Sequence, residues 1–143
     1  MKYILPLLVI LTSIIGSLAN TYISSDTWYS ELIKSPLNPP SYIFGIVWPI
    51  LYLMMAIVSF RVGDKFSSIF ILQLILNAAW SWIFFFFQAP VIALIDIVIL
   101  IYLNQKILKI IQIHSVVLFF VYLPYLLWLI FAAFLNASII WLN

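Results

Sequence analysis

Ten charged side chains punctuate an otherwise apolar chain: Lys2, Asp26, Glu31, Lys34, Arg61, Asp64, Lys65, Asp96, Lys106 and Lys109. Between them lie uncharged runs at 3–25, 35–60, 66–95 and 110–143. A hydrocarbon core of ~30 Å needs about 20 residues of helix. Run 3–25 holds one such span. Run 35–60 holds a Pro-rich loop and then one span. Run 66–95 is broken by Gln88-Ala89-Pro90, and Pro90 suits the first turn of a new helix. The pattern predicts five helices, at about 3–23, 42–60, 67–87, 90–111 and 115–141, in a single domain over 1–143. No alternation of period two runs through these segments, and backbone groups in lipid must pair internally, so strands are not expected. The loops after the second, third and fourth helices are short. They predict antiparallel helices that sit next to their chain neighbours.

Composition turns these helices into membrane spans. Of 143 residues, 67% are apolar and 7% charged. Soluble domains average about 45–50% and about 25%. Ten charges cannot clothe a soluble fold of this size. A soluble globular enzyme, a disordered chain and a nucleic-acid-binding domain are excluded. What remains is an all-α integral membrane protein, a bundle of five transmembrane helices. There is no cysteine, hence no disulfide, thiol nucleophile or Cys-based zinc site. His114 is the only histidine, which rules out a His-cluster metal site.

With five spans, Lys2, Arg61, Lys65, Lys106 and Lys109 share one side and Lys34 stands alone on the other. That asymmetry predicts a multi-pass protein with a cytoplasmic N-terminus and an outer C-terminus. Trp28, Tyr29, Tyr42 and Trp141 fall at outer interfaces, where amphipathic rings prefer to sit. Lys2, the apolar run 3–15 and Ser17-Leu18-Ala19 also fit a cleaved secretory signal, which would leave four spans. The polar face Thr12, Gly16, Asn20 favours retention, because a signal does not need it.

The candidate chemistry is sparse. Loop 24–41 is stiffened by Pro36, Pro39 and Pro40 and carries the apolar Trp28, Tyr29 and Leu32. Asp26 is a candidate cap for a short helix starting at Thr27. The loop reads either as a lid or as an interfacial loop with an aromatic anchor. Gly45, Trp48, Tyr52, Ala56 and Ser59 share one face of the second helix, and Pro49 should kink it. Gln73, Asn77 and Ser81 form a polar stripe that should face the bundle interior, with Trp80 beside it. Amides there serve a ligand or hold helices together. Asp96 lies inside the fourth span with no basic residue at its depth. It reads as a functional acid, a proton site, or a lock between two helices. Pro124, Trp128, Ala132 and Asn136 recur at steps of four on the fifth helix. Leu100, Tyr102 and Lys106 match a permissive sterol-contact pattern. His114 is placed in a short solvated turn. No phosphate-cradling loop, serine–base pair or close carboxylate pair appears. The distinctive stock is aromatic, with 6 Trp, 8 Tyr and 12 Phe. Many rings and a few amides suit a large, flat, apolar ligand.

Three segments carry a family resemblance. The first is Trp28-Tyr29-Ser-Glu-Leu32 … Lys34-Ser-Pro-Leu-Asn-Pro39-Pro40 with Phe44-Gly-Ile-Val-Trp48-Pro-Ile-Leu51-Tyr52. The second is Gln73-Leu-Ile-Leu-Asn77-Ala-Ala-Trp80-Ser81, and the third Pro124-Tyr125-Leu-Leu-Trp128 … Phe131-Ala132 … Leu135-Asn136. Together they resemble the translocator protein family, the TspO/MBR or tryptophan-rich sensory proteins. The resemblance implies five transmembrane helices, commonly as a homodimer in a lipid bilayer. It also implies a pocket closed by the first loop, with a tetrapyrrole such as protoporphyrin IX or haem as ligand and no required cofactor or metal. Carried onto this sequence, the pocket comprises Trp28, Tyr29, Pro39, Pro40, Trp48, Asn77, Trp128 and Ala132. Leu37 stands where the family commonly has a tryptophan, and no Lys or Arg follows Lys109, so the sterol motif of animal members is missing. The expected function is a tetrapyrrole-binding sensory protein of a cell membrane, probed against two rivals. One is light- and oxygen-dependent porphyrin degradation through Trp48 and Trp128. The other is proton-coupled transport through Asp96.

Overall fold

The structure, a computed structural model, describes residues 2–23 and 27–143, the side chains of Tyr22 and Ile23 excepted. Its helices are α1 (Ile4–Ile23), the single turn α2 (Trp28–Glu31), α3 (Ser41–Val62), α4 (Ser67–Ser81), α5 (Pro90–His114) and α6 (Val116–Leu142). A 3₁₀ turn, Gly63–Lys65, joins α3 to α4, and a π-helical turn, Trp82–Phe86, extends α4. No strand occurs among the described residues. Five of the helices are long and apolar enough to cross a membrane. The sequence boundaries hold to within a few residues. The largest shift is at the end of α5, which runs to His114, so this histidine closes a helix instead of lying in a turn. Its Nδ1 sits 2.9 Å from the Ile110 carbonyl oxygen. Outward faces are apolar, as lipid requires: Leu7, Ile10, Leu53, Val98 and Leu127 are all exposed.

The helices close into a ring in the order α1, α4, α5, α6, α3. This corrects one expectation. The helices α3 and α4 are joined by a short turn, yet α1 lies between them. Gly63 makes room for it. A Cβ there would stand 2.5 Å from Leu5 Cδ1, so the missing side chain lets α1 seat its fully buried Leu5 against the turn. A second correction concerns α1. Thr12 is buried and Gly16 faces Tyr52 and Ser81, but Asn20 is exposed. The Thr12 hydroxyl is spent on its own helix, donating to the Leu8 carbonyl at 2.8 Å.

Across the ring interior runs a connected set of phenols and amides. Tyr52 on α3 donates to Asn77 Oδ1 (2.7 Å), and Asn77 Nδ2 donates to the Tyr125 hydroxyl on α6 (2.8 Å). Tyr125 donates to Gln73 Oε1 (2.8 Å). From the other side, Tyr122 donates to Asn104 Oδ1, and Asn104 Nδ2 donates to the same Gln73 oxygen (3.2 Å). Gln73 and Asn104 are fully buried. The Gln73 carbonyl has two lone pairs and both are taken. One amide thus ties α4 to α5 and α6, and through Asn77 to α3.

Gln73→Leu would strand two buried donors, at a cost of about 1–3 kcal/mol for each. Thermal unfolding in detergent should show a clearly lowered midpoint for Gln73→Leu. Gln73→Glu, which keeps an oxygen at that place, should lose less.

Candidate functional site

The site forms where the first loop meets the adjoining helix ends. Its platform comes from a local irregularity. In the π turn, the Phe87 N–H reaches back five residues to the Trp82 carbonyl at 3.0 Å. Gln88 then takes a left-handed φ of 52°, uncommon for a residue with a Cβ. Pro90 bars Ala89 from helical geometry and starts α5. Phe84 and Phe85 are thereby brought against the loop. Trp28 and Tyr29 meet Phe84 edge-on, with centroids 5.7 and 6.1 Å away, and Tyr29 meets Phe85 at 5.3 Å.

The loop is held at further points. Thr27 precedes α2, and its carbonyl accepts from the Glu31 N–H (3.1 Å) and the Ser30 hydroxyl (2.7 Å). The expected cap, Asp26, lies outside the described residues. Lys34 Nζ stands 4.5 Å over the Tyr29 ring and donates to the Leu32 carbonyl at 3.1 Å. Burial pushes the Tyr29 phenol above its ordinary value, against a hydrogen bond with Asn38 that lowers it. Asn143 grips the loop from α6. Its Oδ1 accepts from the Ile33 N–H (3.0 Å), and its Nδ2 donates to the Ile33 carbonyl (2.9 Å) and to Ile139 of its own helix (2.8 Å).

Beneath the loop, α3 and α6 face each other with rings. Trp128 meets Phe44 edge-on at 5.8 Å and Phe131 at 5.5 Å, and Trp48 leans on Tyr52 at 5.6 Å. Ala132 is half-buried one turn beyond Trp128. The Trp128 indole N–H is buried and has no acceptor. Pro49 lies inside an unbroken α3 and deprives the Gly45 carbonyl of its usual donor. Gly45 itself is exposed, and a Cβ there would touch nothing, so it serves no close helix contact.

The expected site residues therefore fall into two groups. Trp48, Trp128 and Ala132 pack against the main core, as does Trp80. Trp28 and Tyr29 pack against a smaller outer cluster built on Phe84, Ala93 and Ile139. Trp80 belongs to both. It stacks on Phe84 at 5.1 Å and donates from Nε1 to Asn136 Oδ1 (3.1 Å), while Asn136 Nδ2 donates to the Pro90 carbonyl (2.8 Å). Pro39 is half-buried and Pro40 exposed; they direct the backbone into α3. Asn77 lies under the aromatic face with one donor and one acceptor already used between helices. A ligand would meet only its remaining N–H and lone pair.

Sequence reasoning placed Trp80 and Asn136 on candidate faces without assigning them to the pocket, and it did not single out Phe44, Phe84 or Asn143 as site residues. The run Phe84-Phe85-Phe86-Phe87 was visible, but not which rings a π turn would bring inward. A separate apolar groove of about 420 Å³ lies between α1 and α4, lined by Leu8, Leu11, Thr12, Ile15, Ile71, Leu74 and Trp82 among others. Trp82 donates to the Ile15 carbonyl there at 2.9 Å. Among the described residues, no three His, Cys, Asp or Glu side chains come together to hold a metal.

The profile of the TspO/MBR family matches residues 4–142, nearly the whole chain and every element above. The chain belongs to the TspO/MBR family. This family member is 36% identical over 126 residues to the tryptophan-rich protein TspO of Chlorobaculum tepidum, covering 81% of this chain and 79% of that protein. It is 37% identical over 128 residues to the protein of the same name from Archaeoglobus fulgidus, covering 84% and 82%. With the tryptophan-rich sensory protein of Cereibacter sphaeroides it shares 29% over 126 residues, covering 82% and 78%. Family and apolar helices together make this TspO/MBR chain a multi-pass integral membrane protein.

Two predictions concern the loop. Asn143→Ala removes the grip on Ile33, and hydrogen exchange across residues 28–38 should quicken by about tenfold, the factor expected from losing about 1.4 kcal/mol of hydrogen bonding. The raised Tyr29 phenol means that the closed loop holds the phenol proton more tightly than a free loop. Closure is therefore fully supported below the ordinary phenol value of 10.0 and weakens as pH climbs above it. Acrylamide quenching of Trp28 in a variant retaining only that tryptophan should rise over that alkaline range, and Tyr29→Phe should remove the rise.

Proposed function

We propose that this membrane protein binds a tetrapyrrole such as protoporphyrin IX or haem on the aromatic face between α3 and α6, beneath loop 27–40. One observation carries the reading. The Trp128 indole N–H is buried without an acceptor, beside Phe44 and Phe131. A buried unpaired donor is costly, and a ligand acceptor would satisfy it. Around it stand rings whose flat faces suit a planar apolar molecule. Trp48 and Trp128 would flank the ligand, Ala132 would leave it room, and Asn77 would offer its spare N–H. Trp28 and Tyr29 would cover it with the loop, after Asn143 releases and regrips Ile33. The name of the Cereibacter sphaeroides relative speaks of a sensory role. Sensing suits a small bundle whose loop changes its contacts when a ligand enters.

The orientation belongs to this proposal. Lys2 lies 4.6 Å over the Phe60 ring, so the start of α1 meets the end of α3 near Arg61 and Lys65. The basic residues gather at this end, which we assign to the cytoplasm. Loop 27–40 and the exposed Trp141 then face outward.

Titration of purified protein with protoporphyrin IX in the dark, followed by tryptophan quenching, tests the reading. Saturable quenching is expected. Trp48→Phe and Trp128→Phe should each weaken it several-fold, about 1 kcal/mol for a lost ring contact or hydrogen bond. Trp141→Phe should bind as the parent does. Unsaturable quenching, equal in all four proteins, would discard the tetrapyrrole reading in favour of transport or scaffolding.

A further inference from the structure

Asp96 is the one acid inside the bundle, and nothing in the fold explains it. It is 6% exposed on α5, and its Oδ2 is buried without any hydrogen-bond partner. No lysine or arginine pairs with it; the one ion pair among the described residues joins Lys65 to Asp64. None of the interior hydrogen bonds reaches it: Tyr125 donates to Gln73, and Asn77 bonds with Tyr52 and Tyr125. A buried carboxyl with a free oxygen costs stability, so it makes a poor lock between helices.

Its level in the bundle is informative. The Tyr122–Asn104 and Asn136–Pro90 bonds fix the register of α5 against α6. Midway between them, Asp96 falls opposite the α6 turn that begins at Trp128. At one depth the protein therefore holds one unpaired indole donor and one unpaired carboxyl acceptor. A ligand that satisfies both presents an acceptor to Trp128 and an N–H to Asp96.

Resting on the tetrapyrrole reading, we propose that Asp96 is a specificity-determining residue: its free carboxyl oxygen accepts from a pyrrole N–H of the ligand, so the site selects metal-free tetrapyrroles over metallated ones. A metal-free porphyrin carries two N–H groups at its centre, and a metallated ring carries none. The iron of haem also finds little to bind here. The chain has no cysteine, its one histidine is exposed at the far end of α5, and the nearby Tyr52 and Tyr125 hydroxyls serve the interior network.

The test compares protoporphyrin IX with its copper(II) complex, which has the same outline, lacks N–H groups and is satisfied by the square of ring nitrogens. Wild-type protein, Asp96→Leu and Asp96→Asn are titrated with both, and thermal midpoints are taken without ligand. Wild type should prefer the metal-free ring by about tenfold, the ratio expected for one hydrogen bond to a buried carboxyl. Asp96→Leu should lose that preference, keep its affinity for the copper ring, and unfold no earlier than wild type, since it gives up no hydrogen bond. Asp96→Asn retains a carbonyl oxygen and should retain part of the preference. Equal affinities in wild type, or an undiminished preference in Asp96→Leu, would overturn the role of Asp96 while leaving tetrapyrrole binding intact. A lowered midpoint in both variants, with both probes weakened alike, would make Asp96 structural and overturn it too. Unsaturable binding of both probes by wild type would overturn this inference and the tetrapyrrole reading together.

Discussion

The fold depends on the carbonyl oxygen of Gln73. In a bilayer the tails outside are as apolar as the leucines inside, so burying apolar surface does little to hold one helix against another. Directional contacts must supply the difference. Gln73 Oε1 takes one hydrogen bond from α6 and one from α5, and the line continues through Tyr125 and Asn77 to Tyr52 on α3. The helix α1 stays outside this web. It is placed by shape, with Leu5 against Gly63, and by contacts that include a hydrogen bond from Trp82 to the Ile15 carbonyl.

That division organises the molecule along its axis. The polar web runs through the middle of the bundle. Above it the interior turns aromatic, and the two buried side-chain atoms without partners among the described residues, on Asp96 and Trp128, both stand at this upper level. Trp80 joins the two zones, packing on the main core and on the cluster under the loop while its N–H fixes Asn136. Among the described residues, the loop that covers this region is held by ring edges and by the Asn143 side chain. Such contacts can open without disturbing the web.

Much of this was legible in the sequence, for simple reasons. The charges mark the ends of the spans because a charge is costly in hydrocarbon, so five helices and their alternation follow from ten positions. The stripe Gln73, Asn77 faces inward for the same reason. Less legible was the use of each polar group. The residues alone favour Asn77 as glue and the family resemblance favours it as a ligand contact, and the structure shows one donor and one acceptor already engaged between helices. Asn20 shares its periodicity with Thr12 and Gly16 yet is exposed, close to the end of α1 that leads into the loop.

The sequence by itself determined the class, the number of spans, their limits to within a few residues, and the aromatic stock of the upper bundle, since all of these follow from local hydropathy and proline chemistry. Only the tertiary structure decided which helices are neighbours. A short turn says that α3 and α4 are antiparallel, but the ring order also depends on where α1 can lie, and that rests on one missing Cβ at Gly63. It likewise decided which rings face the loop, because a π turn shifts the helical phase by an amount that periodicity does not encode. And it found Asn143, more than a hundred residues from Ile33, as the clasp of the loop, because a contact between distant segments leaves no mark on the spacing of either.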